Sequence, residues 1–315
     1  MNYKLINLLF LFSLISCQEA IKPESLPNVI LILVDDMGFS DLGAYGSEIE
    51  TPNIDRLAFE GIRFSNAYNT SKCFPSRASL ITGLYSQQTG YNKSFHQPMS
   101  NAITLGELFK LKEYTTLWSG KHHSRENPVD RGFDHYSGLL DGAANHFNPG
   151  LQREGEEQPA QKGLRNTPPT YRNWVIEGMV FNPYTPKNKD FYSTDVFTNY
   201  ALDWMEQIQT EKPFFLFLSY TAPHDPLMAW EEDIEKYKDR YRDGYEAIRK
   251  QRFEKQKDLG VLPKKTVLSK AAHVDWDLLS EEEKKTESRT MAVYAAMIDR
   301  LDQNIGRLLN KLEKQ

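Results

Sequence analysis

The chain has 315 residues, 40% of them hydrophobic and 26% charged, the balance of a folded soluble protein long enough to bury one large core or two small ones. Lys and Arg number 38 against 43 Asp and Glu, a formal charge of −5. That excludes a generally basic nucleic-acid binder but leaves room for a local basic pocket around a small anion, and two cysteines exclude a disulfide-rich scaffold.

Residues 1–16 start with Lys4 near the amino terminus and then run apolar from Leu5 to Ile15, broken by Asn7 and Ser13. This is the short apolar region of an export signal, too short for a permanent membrane span. The run ends Leu14-Ile15-Ser16-Cys17, a pattern that resembles a bacterial lipobox. Cleavage before Cys17 implies a lipid on its thiol, a membrane anchor, a linker over 17–27, and a location in the periplasm or at the cell surface. An ordinary signal peptide with an incidental Cys17 is the alternative. With Cys17 lipidated, Cys73 is the only thiol left and no internal disulfide can form.

Asn28–Val34 reads NVILILV, a continuous apolar run with the length of a buried parallel strand, and it stops at Asp35-Asp36. Thr51-Pro52 opens a helix that Gly61 closes. Thr104 with Glu107 makes a capping-box pattern for a short helix. Thr115–Trp118 is a second strand, ending at Gly120-Lys121. A helix over Ser193–Ile208 leads into FFLFLSY at Phe214–Tyr220, a third buried strand. Strands alternating with helices predict an α/β fold whose functional loops sit at the strands' carboxyl ends.

Residues 231–258 carry nine acidic and nine basic side chains, which predicts a solvated helical face. At the end of the chain Met291, Tyr294, Ile298, Leu301, Ile305, Leu308 and Leu312 recur at 3-4 spacing. Such a stripe is an amphipathic helix that needs a sheet to cover.

Asp35-Asp36 places two adjacent carboxylates at a buried strand end, where they repel unless a cation or a basic group neutralises them. Hard oxygen ligands suit Ca²⁺ or Mg²⁺; a solvated Asp-Asp turn is the alternative. The second constellation is Cys73-Phe74-Pro75-Ser76-Arg77, followed by Ala78-Ser79-Leu80-Ile81-Thr82-Gly83. Here the chain resembles the sulfatase family, whose signature is Cys-x-Pro/Ala-x-Arg ahead of a short helix and Thr-Gly. The flanking NVILILVDDMGFSDLGAYGS, TPNIDRLAFEGIRFSNAY, GKHH, RGFDHYSG and PHDP look like family landmarks in family order, from Asn28 to the end of the chain.

The resemblance implies an alkaline-phosphatase-like fold, a mixed and mostly parallel sheet flanked by helices, and hydrolysis of a sulfated small molecule or glycan. It implies that a dedicated maturation enzyme oxidises Cys73 to formylglycine. The hydrated aldehyde then offers two hydroxyls: one attacks sulfur, and deprotonation of the other expels sulfate. By the same resemblance Asp35, Asp36 and residue 73 are ligands of Ca²⁺ rather than Mg²⁺, and Arg77 contacts the hydrated aldehyde. Lys121 supplies charge to the sulfate oxygens, His123 polarises the hydrate or the sulfate, and His224 in Pro223-His224-Asp225-Pro226 is the general acid toward the leaving oxygen. His122 sits at a variable position and carries no assigned role, and His146 is expected to line the pocket. Regions 151–192 and 231–288 are expected to shape it.

The family pattern continues past the last helix with a strand ending in Asp-Asn and then an active-site lysine, which this chain does not contain. The expectation is the amino-terminal part of a sulfatase catalytic domain over 28–315. A phosphodiesterase or phosphonate hydrolase of the same fold is one alternative. A non-catalytic anion- or glycan-binding lipoprotein is another.

Overall fold

The computed structural model describes residues 26–91, 93–94, 96–157, 159, 172–208 and 212–314. The expected signal at 1–16 and the expected lipidation at Cys17 lie outside them. No helix among the described residues is long and apolar enough to cross a membrane.

Six strands form one sheet: β1 (Val29–Asp35), β2 (Thr115–Gly120), β3 (His135–Leu139), β4 (Trp174–Ile176), β5 (Met179–Phe181) and β6 (Phe214–Pro223). Their spatial order is β1-β6-β2-β3-β4-β5. The first four in that order run parallel, and β4 and β5 add as an antiparallel end. The sheet is therefore mixed and mostly parallel, as expected.

β6 is the strand on which the rest is assembled. All ten of its residues are buried, because it lies between β1 and β2 and both of its faces are covered. Leu216, Leu218 and Tyr220 pack on one side with Phe197, Ala201 and Trp204 of α4 (Ser193–Gln207) and with Leu301, Ile305 and Leu308 of α7 (Glu281–Leu312). Phe215 and Phe217 face the other way, against Phe74, Ala78 and Ile81 of α2 (Cys73–Thr82) and Phe109 of α3 (Leu105–Lys110). Alternation along a strand covered on both sides is why FFLFLSY carries no polar face.

The apolar run of β1 differs from the expectation. Its first six residues are only half-buried, because β1 occupies an end of the strand order and lacks the second flanking strand that encloses β6. The terminal helix starts ten residues before the apolar stripe, at a capping box formed by Ser280 and Glu283. Its stripe covers the sheet from Leu301 onward, while Ile298 and the alanines at 292, 295 and 296 pack into a separate cluster. That cluster contains Ile234, Tyr237 and Tyr241, and Phe253 of α6 (Tyr245–Asp258) is also buried. The charged stretch 231–258 is thus not simply a solvated face. Its aromatic and aliphatic residues turn inward, and α5 (Glu231–Glu235) and α6 expose only the remainder.

Pro52 opens α1 (Pro52–Glu60), and Gly61 follows it. Thr51 gives α1 no side-chain cap; its hydroxyl instead accepts from the Gly43 N–H at 2.9 Å and donates to Asp55 at 3.0 Å.

One backbone position is indispensable. Gly120, at the end of β2, has φ +108°, and a Cβ there would lie 1.9 Å from the Ser219 carbonyl oxygen. Gly120→Ala should therefore destabilise the fold by about 3 kcal/mol or more, combining left-handed strain with a backbone clash. A urea-denaturation midpoint within error of wild type would show that β2 and β6 can separate at this point without cost.

Candidate active site

Because β1, β6 and β2 are neighbours and parallel, the residues that follow each strand emerge at one edge of the sheet. Asp35 is paired in register with Pro223, and Gly120 with Ser219. Asp35-Asp36, Lys121-His122-His123 and His224 are thereby drawn together from three distant segments.

Asp36 adopts a left-handed φ of 62°, a conformation that Asp tolerates better than most residues. The turn separates the two carboxylates. Asp35 is 5% exposed, whereas the Asp36 side chain is 61% exposed.

Two cations neutralise Asp35. Lys121 Nζ donates to Oδ2, and Arg77 Nη2 lies 3.3 Å from Oδ1. Arg77 also donates through Nη1 to the Lys121 carbonyl at 2.9 Å and to Ser219 Oγ. Burial alone would raise the Asp35 pKa, but Arg77 and Lys121 override it and hold the carboxyl below its ordinary range. Burial and the neighbouring Arg77 lower Lys121 to about 8 despite Asp35. Lys121 is completely buried, so its charge is delivered to Asp35 rather than presented to the cavity.

The signature segment is the first turn and more of α2, not a lead-in to a helix. Lys72 takes extended backbone immediately before it, and Cys73 is half-buried at the first helical position. Arg77 follows four residues later on the same helical face. Cys73, Ser76 and Arg77 line a cavity of about 460 Å³ together with Asp35, Asp36 and His224. Asn69, Ser71 and Lys72 complete its rim.

His224 is 7% exposed. Its Nδ1 donates to the Asp225 carbonyl at 2.7 Å, which leaves Nε2 directed toward Asp36 Oδ2 at 3.5 Å. His123 does not line this cavity. It stands edge-on to Phe74, with ring centroids 5.7 Å apart, and burial followed by Lys121 and Arg77 pushes it down to about 2. The ring is therefore neutral. His146 is buried behind His224 and does not line the cavity either. Among the described residues, none from 151–192 or 231–288 lines it. The loop after β1 and residues 69–72 form its rim instead.

Asp35, Asp36 and residue 73 line one cavity, and among the described residues the potential ligand atoms that lie within 4.8 Å of one another are those of Asp36, His224 and Asp225. Asp35 is already neutralised by Lys121 and Arg77, whereas Asp36 faces solvent beside it. Three side chains supply fewer donors than the six to eight oxygens that Ca²⁺ takes.

Ser219 and the 69–72 rim were not anticipated from the sequence. Ser219 had a readable signal, since it is the one small hydroxyl inside FFLFLSY.

Three histidines whose ionisation burial opposes, His122, His123 and His146, should make the fold acid-sensitive. Burial pushes His122 down to about 3 and His146 to about 4, whereas an unfolded histidine titrates near 6.5. Between those values the unfolded chain binds more protons, so stability is intact above about pH 6.5 and falls toward pH 4. The urea midpoint should drop across that window. It should drop less in His122→Phe, which keeps the edge contact with Trp118. An unchanged slope would place the acid sensitivity elsewhere.

The sulfatase family profile matches residues 27–315. An uncharacterized sulfatase of Schizosaccharomyces pombe is 36% identical over 91% of this chain and 54% of its own length. An arylsulfatase of Klebsiella aerogenes is 33% identical over 91% of this chain and 62% of its own. The chain thus spans between half and two thirds of the length of these two relatives. The crystal structure of Ps i-CgsB superposes with a TM-score of 0.62 at 29% identity, over 91% of this chain and 55% of that one. With the signature helix, the strand-end carboxylates and these matches in agreement, the chain belongs to the sulfatase family.

Proposed function

We propose that this chain carries the nucleophile of a sulfate-ester hydrolase acting on a sulfated glycan or an aryl sulfate. In this reading a formylglycine is made from Cys73 by a maturation enzyme, and Ca²⁺ is held by Asp35, Asp36 and residue 73. One observation carries it: Cys73 opens α2 on a cavity whose walls also present Asp35, Asp36, Arg77 and His224. The arylsulfatase relative supports the reaction class. So does an N-acetylgalactosamine-6-sulfatase of Homo sapiens, 33% identical over 64% of this chain. The glycan reading is supported by Ps i-CgsB, which has been crystallised with k-i-k-neocarrahexaose.

A hydrated aldehyde at position 73 would supply a nucleophilic hydroxyl and a second hydroxyl whose deprotonation releases sulfate. A divalent cation would supply charge to a sulfate oxygen. The chain's own residues do the rest. Arg77, anchored to the Lys121 carbonyl and to Ser219, holds a fixed guanidinium against position 73 and the sulfate. His224, with Nδ1 committed to Asp225, offers Nε2 to the leaving oxygen as its proton donor. Export and anchoring through a lipid on Cys17, to the periplasm or the cell surface, belong to the same proposal. Labelled palmitate should enter the wild type and not Cys17→Ser.

Co-expression with a maturation enzyme should lower the mass of the peptide containing residue 73 by about 18 Da, the exchange of CH₂SH for CHO that creates the activated nucleophile. An unmodified thiol would overturn the mechanism. Asp36→Asn should lower kcat toward nitrophenyl sulfate by about 100-fold, the scale of one lost charged contact in a transition state. Wild-type turnover at limiting Ca²⁺ would remove Asp36 from the metal site.

A further inference from the structure

His146 lies on the loop after β3, outside the cavity, yet its bonds reach the cavity wall. It is 2% exposed. Its Nδ1 is 2.8 Å from Ser193 Oγ, and its Nε2 is 3.1 Å from the backbone carbonyl oxygen of His224. A carbonyl can only accept, so Nε2 carries the ring proton and Nδ1 accepts from the Ser193 hydroxyl. Ser193, the first residue of α4, is itself fixed: its N–H donates to the His146 carbonyl at 2.8 Å, and its Oγ lies 3.3 Å from Thr221 Oγ1. Thr221 closes the ring of contacts, since its carbonyl accepts the His224 N–H at 3.0 Å.

Both backbone polar groups of His224 are therefore held by one buried cluster drawn from three elements. On its exposed side His224 has Asp225 at Nδ1 and Asp36 opposite Nε2. Both contacts are made by the His224 ring, and neither holds its backbone. The His146 ring bridges the start of α4 and that backbone.

We propose that His146 is a positioning residue: keyed by Ser193, it holds the His224 peptide so that His224 Nε2 faces Asp36 and the cavity. The assignment rests on the sulfate-ester reading of the site, because it gives that reading's proton donor a fixed place. His146 itself touches no substrate.

The test uses the full chain with position 73 matured. His146→Ala should lower kcat toward a sugar sulfate by about 10- to 100-fold, the scale of a misplacement near 1 Å. KM should hold, and nitrophenyl sulfate, whose leaving oxygen needs little protonation, should suffer less. His146→Gln, whose amide can donate to the same carbonyl and accept from Ser193, should recover most of the loss. Equal losses on both substrates, or a Gln variant no better than Ala, would overturn the proposal. Should the Ala variant fail to fold, the Gln variant and Ser193→Ala carry the comparison, with Ser193→Ala expected to show the same substrate asymmetry more weakly.

A second readout does not depend on turnover. In ¹⁵N-histidine spectra at neutral pH, His146 should show the Nε2–H tautomer, and the Nδ1–H tautomer would overturn the proposal. If the matured wild type hydrolyses no sulfate ester, the proposed activity of this chain falls and its family membership stands. The tautomer, together with the His224 position in crystals of His146→Ala, then decides the positioning role alone. A His224 that superposes on wild type there would refute it.

Discussion

A carboxylate placed inside a protein must be neutralised where it stands, and Asp35 imposes that demand on everything near it. Left alone at the end of a buried strand, its charge would be too costly to keep. Lys121 and Arg77 meet the demand from the end of β2 and from α2. Removing one partner from a buried ion cluster of this kind costs about 3–5 kcal/mol, because the remaining charge is stranded. The ionic centre therefore also sets geometry. Arg77 can reach Asp35 only if α2 lies across the strand ends, and that placement brings Cys73, one helical turn earlier, to the cavity.

A second polar system steadies the loop that carries Asp36. Asp41 accepts from the Gly38 N–H at 2.7 Å, from Tyr294 Oη at 2.6 Å and from Arg252. Arg252 also holds Glu48, which accepts from Tyr241 at 2.8 Å. Burial opposes ionisation of Glu48, but Arg252 holds its carboxyl below the ordinary range. Helices α6 and α7 thus act on the site through the β1 loop without lining the cavity. With the His146 cluster behind His224, the exposed Asp36 and the half-buried Cys73 of the cavity adjoin buried polar scaffolds. That arrangement suits a site that must present fixed charges to a small anion.

Long apolar runs were readable as strands because a strand covered on both faces needs no polar alternation. This holds for β6 and for the existence of β1. The sheet's other end was not readable. β3 contains Ser137 and Gly138, and β4 and β5 have three residues each, too few for a period to show. The charged stretch 231–258 was misleading for a related reason. Nine charges of each sign hide the buried Ile234, Tyr237, Tyr241 and Phe253, and the first three are turned inward against α7.

The sequence by itself determined the chemistry that local order can encode. It places a cysteine and an arginine one helical turn apart, two carboxylates where an apolar run stops, and a histidine after another such run. Tertiary structure alone decided the partners. Lys121 reaches Asp35 across 86 residues, His146 reaches the His224 carbonyl across 78, and Arg77 reaches the Lys121 carbonyl across 44. Lys121 reads as a cation for the sulfate oxygens and becomes the most deeply buried charge of the site, bonded to Asp35. His146 reads as a lining residue and becomes a support. Burial and hydrogen-bond partners belong to the packed sheet and not to any segment of it, so local spacing carries no record of them.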